Sequence, residues 1–175
     1  MSSDFVVNTH CLLCNSTTLD EVMTLAKTPL ANALEVASTP RTPLYPLALN
    51  LCVDCSHLQL GISVDPALLF RDYAYTSPPG MRSHWKQHAA QCLVRFGLKP
   101  NDLVAEIGSN NGDLLRFYRD AGMKVLGFEP ARDIAHLAEA SGVPTVEAFF
   151  NYWIASEWAG AGAQLVRANN VFAHI

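Results

Sequence analysis

Two rhythms of apolar residues divide the chain. Up to about residue 70, short apolar runs are broken by prolines and paired cysteines, and from residue 102 a strand–helix–strand alternation takes over. Leu103 to Ile107 is a short buried-strand pattern, and Gly112 to Asp120 carries Leu114, Leu115, Phe117 and Tyr118 at helical spacing. Lys124 to Glu129 predicts a second strand. Ala131 to Ser141 predicts a second helix, stopped by Gly142 with Pro144 beyond it. Thr145 to Ala148 reads as a third strand, Tyr152 to Trp158 as a third helix and Gln164 to Ala168 as a fourth strand. Alternating units of this kind predict an α/β fold with a parallel sheet and helices on both faces.

The earlier part follows other rules. Pro29, Pro40, Pro43 and Pro46 exclude a long helix between the cysteine pairs and predict loops and short extended pieces. Leu58, Leu60 and Ile62 alternate as in one short strand, and Asp65-Pro66 carries the start signal of a short helix. The stretch DYAYTSPPG at 72–80 reads as a joining loop. Trp85, Ala89, Cys92, Leu93 and Phe96 then recur as on an amphipathic helix, with Gly97 at its stop. The expected organisation is a small N-terminal domain at 1–71, a linker and leading helix at 72–99 and a strand–helix domain at 100–175. A sheet that stops just past its fourth strand keeps an open edge. The expectation is therefore a piece of a longer protein, poorly soluble or inactive alone.

Composition narrows the function classes. Half of the 175 residues are hydrophobic and the net charge is −4. Twelve scattered Lys and Arg argue against nucleic acid as a partner. No apolar stretch approaches the roughly 20 residues that span a bilayer. The start, Met1-Ser2-Ser3-Asp4, lacks a signal-peptide pattern, so a cytoplasmic location is expected. Thiols stay reduced there, which makes paired cysteines metal ligands or redox groups before structural disulfides.

Cys11/Cys14 and Cys52/Cys55 are two Cys-x-x-Cys knuckles. Each places two thiolates on one ion, and together they complete a tetrahedral four-cysteine site that suits structural Zn²⁺. The alternatives are two redox pairs or plain buried thiols, and His10 and His57 are weaker substitute ligands. Four thiolates close the coordination sphere, so such a zinc is structural and not catalytic. Cys92 reads as an inert thiol on its helix, and His84 with His88 as a polar helical face without a third ligand.

The segment VAEIGSNNGD at 104–113 is the chemical centre. A buried strand meets a tight turn of small residues and then a helix. A dinucleotide fingerprint wants glycine where Asn110 and Asp113 stand, and the Gly-Lys-Ser/Thr of a phosphate loop is absent. Carboxylates at Glu106 and Asp113 are expected to repel a pyrophosphate and to suit a cationic cofactor. Glu129, ending the second strand, is placed to accept from both hydroxyls of a ribose. The competing interpretation is an ordinary strand–helix turn with Glu129 merely solvated.

The stretches CLLC, TPLANAL, YPLALNLCVDC, HLQL, LFRDYAYTS, EIGSNNGDLLRFYRDAGMKVLGFEPA and ANNVFAHI together resemble the sugar C-methyltransferases acting on nucleotide-linked keto-deoxysugars. The resemblance covers nearly the whole chain. It implies a zinc-binding N-terminal domain followed by the N-terminal half of a Rossmann-like class I methyltransferase core that uses S-adenosyl-L-methionine. Carried over by motif, Cys11, Cys14, Cys52 and Cys55 hold zinc. Glu106, Gly108, Ser109, Asn110 and Gly112 line the methionine and ribose of the cofactor. Glu129 and Pro130 meet its ribose and adenine, and Asn169 and Asn170 sit beside donor and acceptor. Tyr75 and His174 match catalytic positions near the sugar, with Tyr73 a weaker substitute for Tyr75. The implied chemistry is deprotonation beside the sugar ketone and attack of the enolate on the sulfonium methyl. The family's base, a Glu-His pair, is expected downstream of Ile175. The alternative function is a non-enzymatic, zinc-dependent interaction module. A nicotinamide-dependent enzyme is disfavoured by Asn110 and Asp113.

Overall fold

The computed structural model describes residues 4–31, 43–73, 75–158, 160 and 162–172. It divides into two compact units, Met1–Phe70 and Arg71–Ile175.

In the first unit, β1 (Phe5–Val7) pairs antiparallel with β5 (Ile62–Val64). A second antiparallel sheet has the order β2 (Leu19–Thr28), β3 (Tyr45–Cys52), β4 (Leu58–Leu60). Two of the extended pieces expected between the cysteine pairs are thus strands of ten and eight residues, while Pro40 lies outside the described residues. Pro46 is accommodated because the β2–β3 register shifts between Leu25 and Thr28, opposite the position where proline has no N–H to give. The single strand expected over Leu58–Ile62 is two, broken at Gly61. Its alternation faces the other way: Gln59 is buried while Leu58 and Leu60 are exposed. Asp65 caps α1 (Pro66–Phe70) by accepting the Ala67 N–H at Oδ1. Among the described residues of this unit, the buried apolar side chains are only Cys11, Tyr45 and Cys52. So small a core does not hold such a unit together unaided.

The second unit begins with α2 (Arg82–Arg95), after a 3₁₀ turn at Pro79–Met81. There follow β6 (Leu103–Ile107), α3 (Asp113–Asp120), β7 (Lys124–Phe128), α4 (Arg132–Ala140), β8 (Thr145–Val146), α5 (Tyr152–Trp158) and β9 (Leu165–Arg167). All four strands are parallel, in the order β8-β7-β6-β9. β6 and β7 are buried almost continuously, as parallel strands covered on both faces are. Val104 and Val125 pack with Leu114, Leu115 and Tyr118 of α3 and Ala138 of α4. Ala105, Leu126 and Phe128 form the other face with Ile154 of α5. Several bounds are tighter than expected. The helix predicted from Gly112 starts at Asp113, because Gly112 has φ +73°. Phe96, expected on the apolar side of α2, is the helix's C-cap and is exposed. Among the described residues, no helix is long and apolar enough to cross a membrane.

Candidate metal centre and cofactor loop

The two knuckles are built alike. In each, the residue after the second cysteine, Asn15 or Ser56, takes positive φ and returns its N–H to the carbonyl of the first cysteine, at 2.9 Å in both cases. That curl turns both sulfurs of a knuckle inward. Cys11 Sγ lies 3.6 Å from Cys55 Sγ, and Cys14 Sγ lies 3.6 Å from Cys52 Sγ. All four sulfurs fall within 4.8 Å of one another. Thiolates about 2.3 Å from a tetrahedral Zn²⁺ stand roughly 3.8 Å apart, so the cage has the size of the ion.

The thiols also show why a cation belongs there. The Cys14 backbone N–H favours the Cys11 thiolate and holds it down at about 6. The His57 backbone N–H favours the Cys55 thiolate too, yet the neighbouring thiols and burial push Cys55 up to about 12. One sulfur ionises at the expense of the next, and only a divalent ion lets all four do so. The four cysteines form this cluster without His10 or His57. Gln59 was not foreseen. Its Oε1 accepts the Leu12 N–H at 2.8 Å and its Nε2 donates to the His10 carbonyl at 3.0 Å, bracing the first knuckle from β4.

In the second unit the parallel strands deliver the loops that follow them to one edge of the sheet. The loop after β6 is pinned to the end of β7. Gly108 and Ser109 both donate backbone N–H groups to the Phe128 carbonyl, at 2.8 and 3.1 Å. Gly108 has φ +62°, and a Cβ there would lie 2.5 Å from Val171. Glu129 is buried. Its Oε2 accepts the Asn110 N–H at 2.9 Å and its Oε1 the Ala131 N–H at 3.0 Å. Burial pushes its carboxyl up, and these two N–H groups pull it back towards the charged form. A carboxylate offers about four lone-pair sites, so two remain for a ligand. A cleft of about 560 Å³ opens at the next residue, lined by Pro130, Asp133, Glu147, Phe149, Asn151 and Ile154. The last four had no recognisable signal in the sequence.

The remaining candidate residues are placed unevenly. Tyr75 is exposed, with its ring centroid 6.2 Å from that of Tyr73. Its carbonyl accepts from Asn110 Nδ2 at 2.8 Å. Ser109 Oγ and Asn169 Nδ2 are buried with no hydrogen-bond partner among the described residues. Asn170 has φ +52°. His174 lies outside the described residues. Glu106 is buried, and its Oε1 is 3.8 Å from Nε of the equally buried Arg167, its neighbour in register on β9. Arg167 in turn donates to the Tyr118 hydroxyl at 2.6 Å. Asp113 is ion-paired with Arg116 and with Arg82. The charge argument against a pyrophosphate is therefore weaker than the bare sequence suggests, since both carboxylates have internal cations. The missing glycines at 110 and 113 still stand against a dinucleotide.

Residues 11–70 match a family described as "Putative zinc binding domain". Over 172 residues the chain is 33% identical to the C-methyltransferase NovU of Streptomyces niveus, an alignment that takes in 95% of this chain and 41% of that protein. The chain is similar over nearly all its length to a C-methyltransferase, and its residues 11–70 match a zinc-binding domain. It spans about two-fifths of the length of that relative. Looser likenesses are found among solved structures. Magnesium protoporphyrin IX methyltransferase of Synechocystis PCC 6803, solved with bound SAH, is 19% identical at a TM-score of 0.32, covering 51% of this chain and 34% of that one. The C-terminal domain of precorrin-6Y C5,15-methyltransferase from Rhodobacter capsulatus is 19% identical at 0.34, covering 52% and 50%.

Proposed function

We propose that the chain is the zinc-binding and cofactor-binding portion of an S-adenosyl-L-methionine-dependent enzyme that methylates a carbon of a nucleotide-linked keto-deoxysugar. The observation that carries this reading is Glu129. Its carboxylate is fixed by two backbone N–H groups with acceptor capacity left over, and the residue after it lines a cleft. In the proposal Glu129 takes the ribose hydroxyls, and the ring of the nucleoside lies along Pro130. Gly108, Ser109 and Gly112 let backbone approach the methionine end. Glu106, with Arg167 beside it, stands two residues before Gly108, and Asn169 and Asn170 border the donor–acceptor boundary. When bound, the cofactor supplies an electrophilic methyl group on a sulfonium. In the proposal Tyr75, and His174 outside the described residues, serve the acceptor, where donors to the enolate oxygen favour loss of the neighbouring proton. The four-cysteine zinc holds the first unit together and takes no part in the chemistry.

Calorimetric titration with S-adenosylhomocysteine tests the cofactor half, and a one-site isotherm is expected. Absence of both heat and a thermal shift would sink it. Incubation of the full-length protein with labelled S-adenosylmethionine and a panel of nucleotide-linked keto-deoxysugars tests the acceptor half. Label retained on carbon after acid hydrolysis is the expected result.

A further inference from the structure

Asn110 spends nearly all its hydrogen-bonding capacity inside the protein, and it spends it on three different segments. Its backbone N–H donates to Glu129 Oε2 at 2.9 Å, at the end of β7. Its Oδ1 accepts from the Asn111 N–H at 2.9 Å, which stiffens the loop after β6, and from the Ser77 N–H at 3.0 Å. Its Nδ2 donates to the Tyr75 carbonyl at 2.8 Å. Two side-chain bonds therefore run to residues 75–77, and one backbone bond runs to the acid beside the cleft. The residue sits at φ +51°, a conformation asparagine tolerates and glycine takes freely.

The loop so held leads through Pro78 into the 3₁₀ turn at Pro79–Met81. Tyr75 is exposed on it, with Tyr73 alongside. The contacts that hold Tyr75 and Ser77 are thus mounted on the same turn whose N–H engages Glu129. A ligand that seizes the free lone pairs of Glu129 immobilises this turn. Whatever the turn holds is then ordered at less additional entropic cost.

We propose that Asn110 is a positioning residue that ties the Tyr75–Ser77 loop to the cofactor loop, so that a nucleoside held at Glu129 orders the acceptor side of the site. The proposal rests on the cofactor reading given above. It assigns the Asn110 side chain to the protein's own loop, not to the cofactor. It also implies an order of events in which the nucleoside enters first and the acceptor second.

Hydrogen exchange on the whole chain, with and without saturating S-adenosylhomocysteine, tests it. In the wild type, bound ligand should slow exchange at the Ser77 amide by about tenfold, the effect expected when one or two hydrogen bonds are made persistent. The variant Asn110→Gly keeps the backbone N–H that meets Glu129 and deletes both bonds to residues 75–77, together with the one from the Asn111 N–H. Exchange in the variant is read at an S-adenosylhomocysteine concentration that calorimetry shows to saturate it. Its Ser77 exchange should be fast and insensitive to the ligand. Ligand-dependent protection that survives in Asn110→Gly would overturn the proposal. So would wild-type protein that binds the ligand with no change at residues 75–77. Failure of the wild type to bind is visible in calorimetry before any exchange is measured, and it would overturn the cofactor reading itself.

Discussion

Replacing Gly127 with alanine tests the way the cofactor loop is seated. Gly127 lies in the middle of the sheet on β7, between β6 and β8. A Cβ built there lies 2.4 Å from Ser109 Oγ, 2.9 Å from Ser109 Cβ and 3.0 Å from Thr145 Oγ1. The Ser109 Cβ cannot swing away as a long side chain does, so either the loop lifts or the strand shifts. Forcing one extra carbon into packed space costs about 1–3 kcal/mol. Two contacts under 3 Å argue for the upper part of that range, about 2–3 kcal/mol. The move also strains the N–H groups of Gly108 and Ser109 on the Phe128 carbonyl and that of Asn110 on Glu129. Cofactor affinity should therefore fall with stability. Urea unfolding followed by tryptophan fluorescence reads this unit selectively, because Trp85, Trp153 and Trp158 all lie in it. Adding Ser109→Gly removes two of the three close contacts, so the double variant should recover at least about 1 kcal/mol as coupling energy. Gly127→Ala within about 0.5 kcal/mol of wild type, or coupling below about that value, would refute the argument.

Four further outcomes are expected. Cys52→Ser should lose tight zinc binding, and chelation of the wild type should make residues 4–70 protease-sensitive while the tryptophan signal holds. Binding free energies of about 10–16 kcal/mol for structural zinc exceed what so small an apolar core supplies. One zinc per chain by atomic absorption, and cobalt spectra of a tetrathiolate, check the site. Burial raises Glu106 to about 7 although Arg167 pulls it down, so between the unfolded value near 4.5 and that point the folded form holds the extra proton. Unfolding free energy should therefore fall as pH rises through that window, by about 3 kcal/mol at most, and Glu106→Gln should flatten the slope in pH-dependent denaturation. Arg167→Met strands the carboxylate and should cost about 3–5 kcal/mol near neutral pH. Glu129→Gln puts an amide N–H₂ where an N–H must be accepted. It should weaken S-adenosylhomocysteine binding at least about tenfold by calorimetry, the loss of one charged hydrogen bond.

What was readable in the sequence was what is local. A Cys-x-x-Cys turn brings its own two sulfurs together, and the strand–turn–helix around Gly108 carries its signal within ten residues. Alternation across a parallel sheet is equally local, which is why the order of strands and helices could be read. Side-chain partners set by register could not. Arg167 meets Glu106 only because β9 pairs with β6 in one particular phase, and Ser109 needs glycine at 127 for the same reason. Gln59 misled the pattern outright. Its strand turns the polar side chain inward because the knuckle backbone beside it needs a donor and an acceptor, while the leucines on either side face out. Pro46 misled in the opposite direction, since a register shift removes the need for its missing N–H.

The cross-knuckle pairing of sulfurs, Cys11 with Cys55 and Cys14 with Cys52, also changes how the chain between them responds to evolution. Bound metal makes that stretch a closed ring whose join is independent of its circumference. Lengthening a ring adds entropy cost only logarithmically, about 0.6 kcal/mol for each doubling. The β2–β3 ribbon fixes the part of the ring next to the metal, and the rest of the circumference is cheap to vary. New recognition elements can accumulate there without disturbing the join, as cargo on a ring that the ion keeps shut.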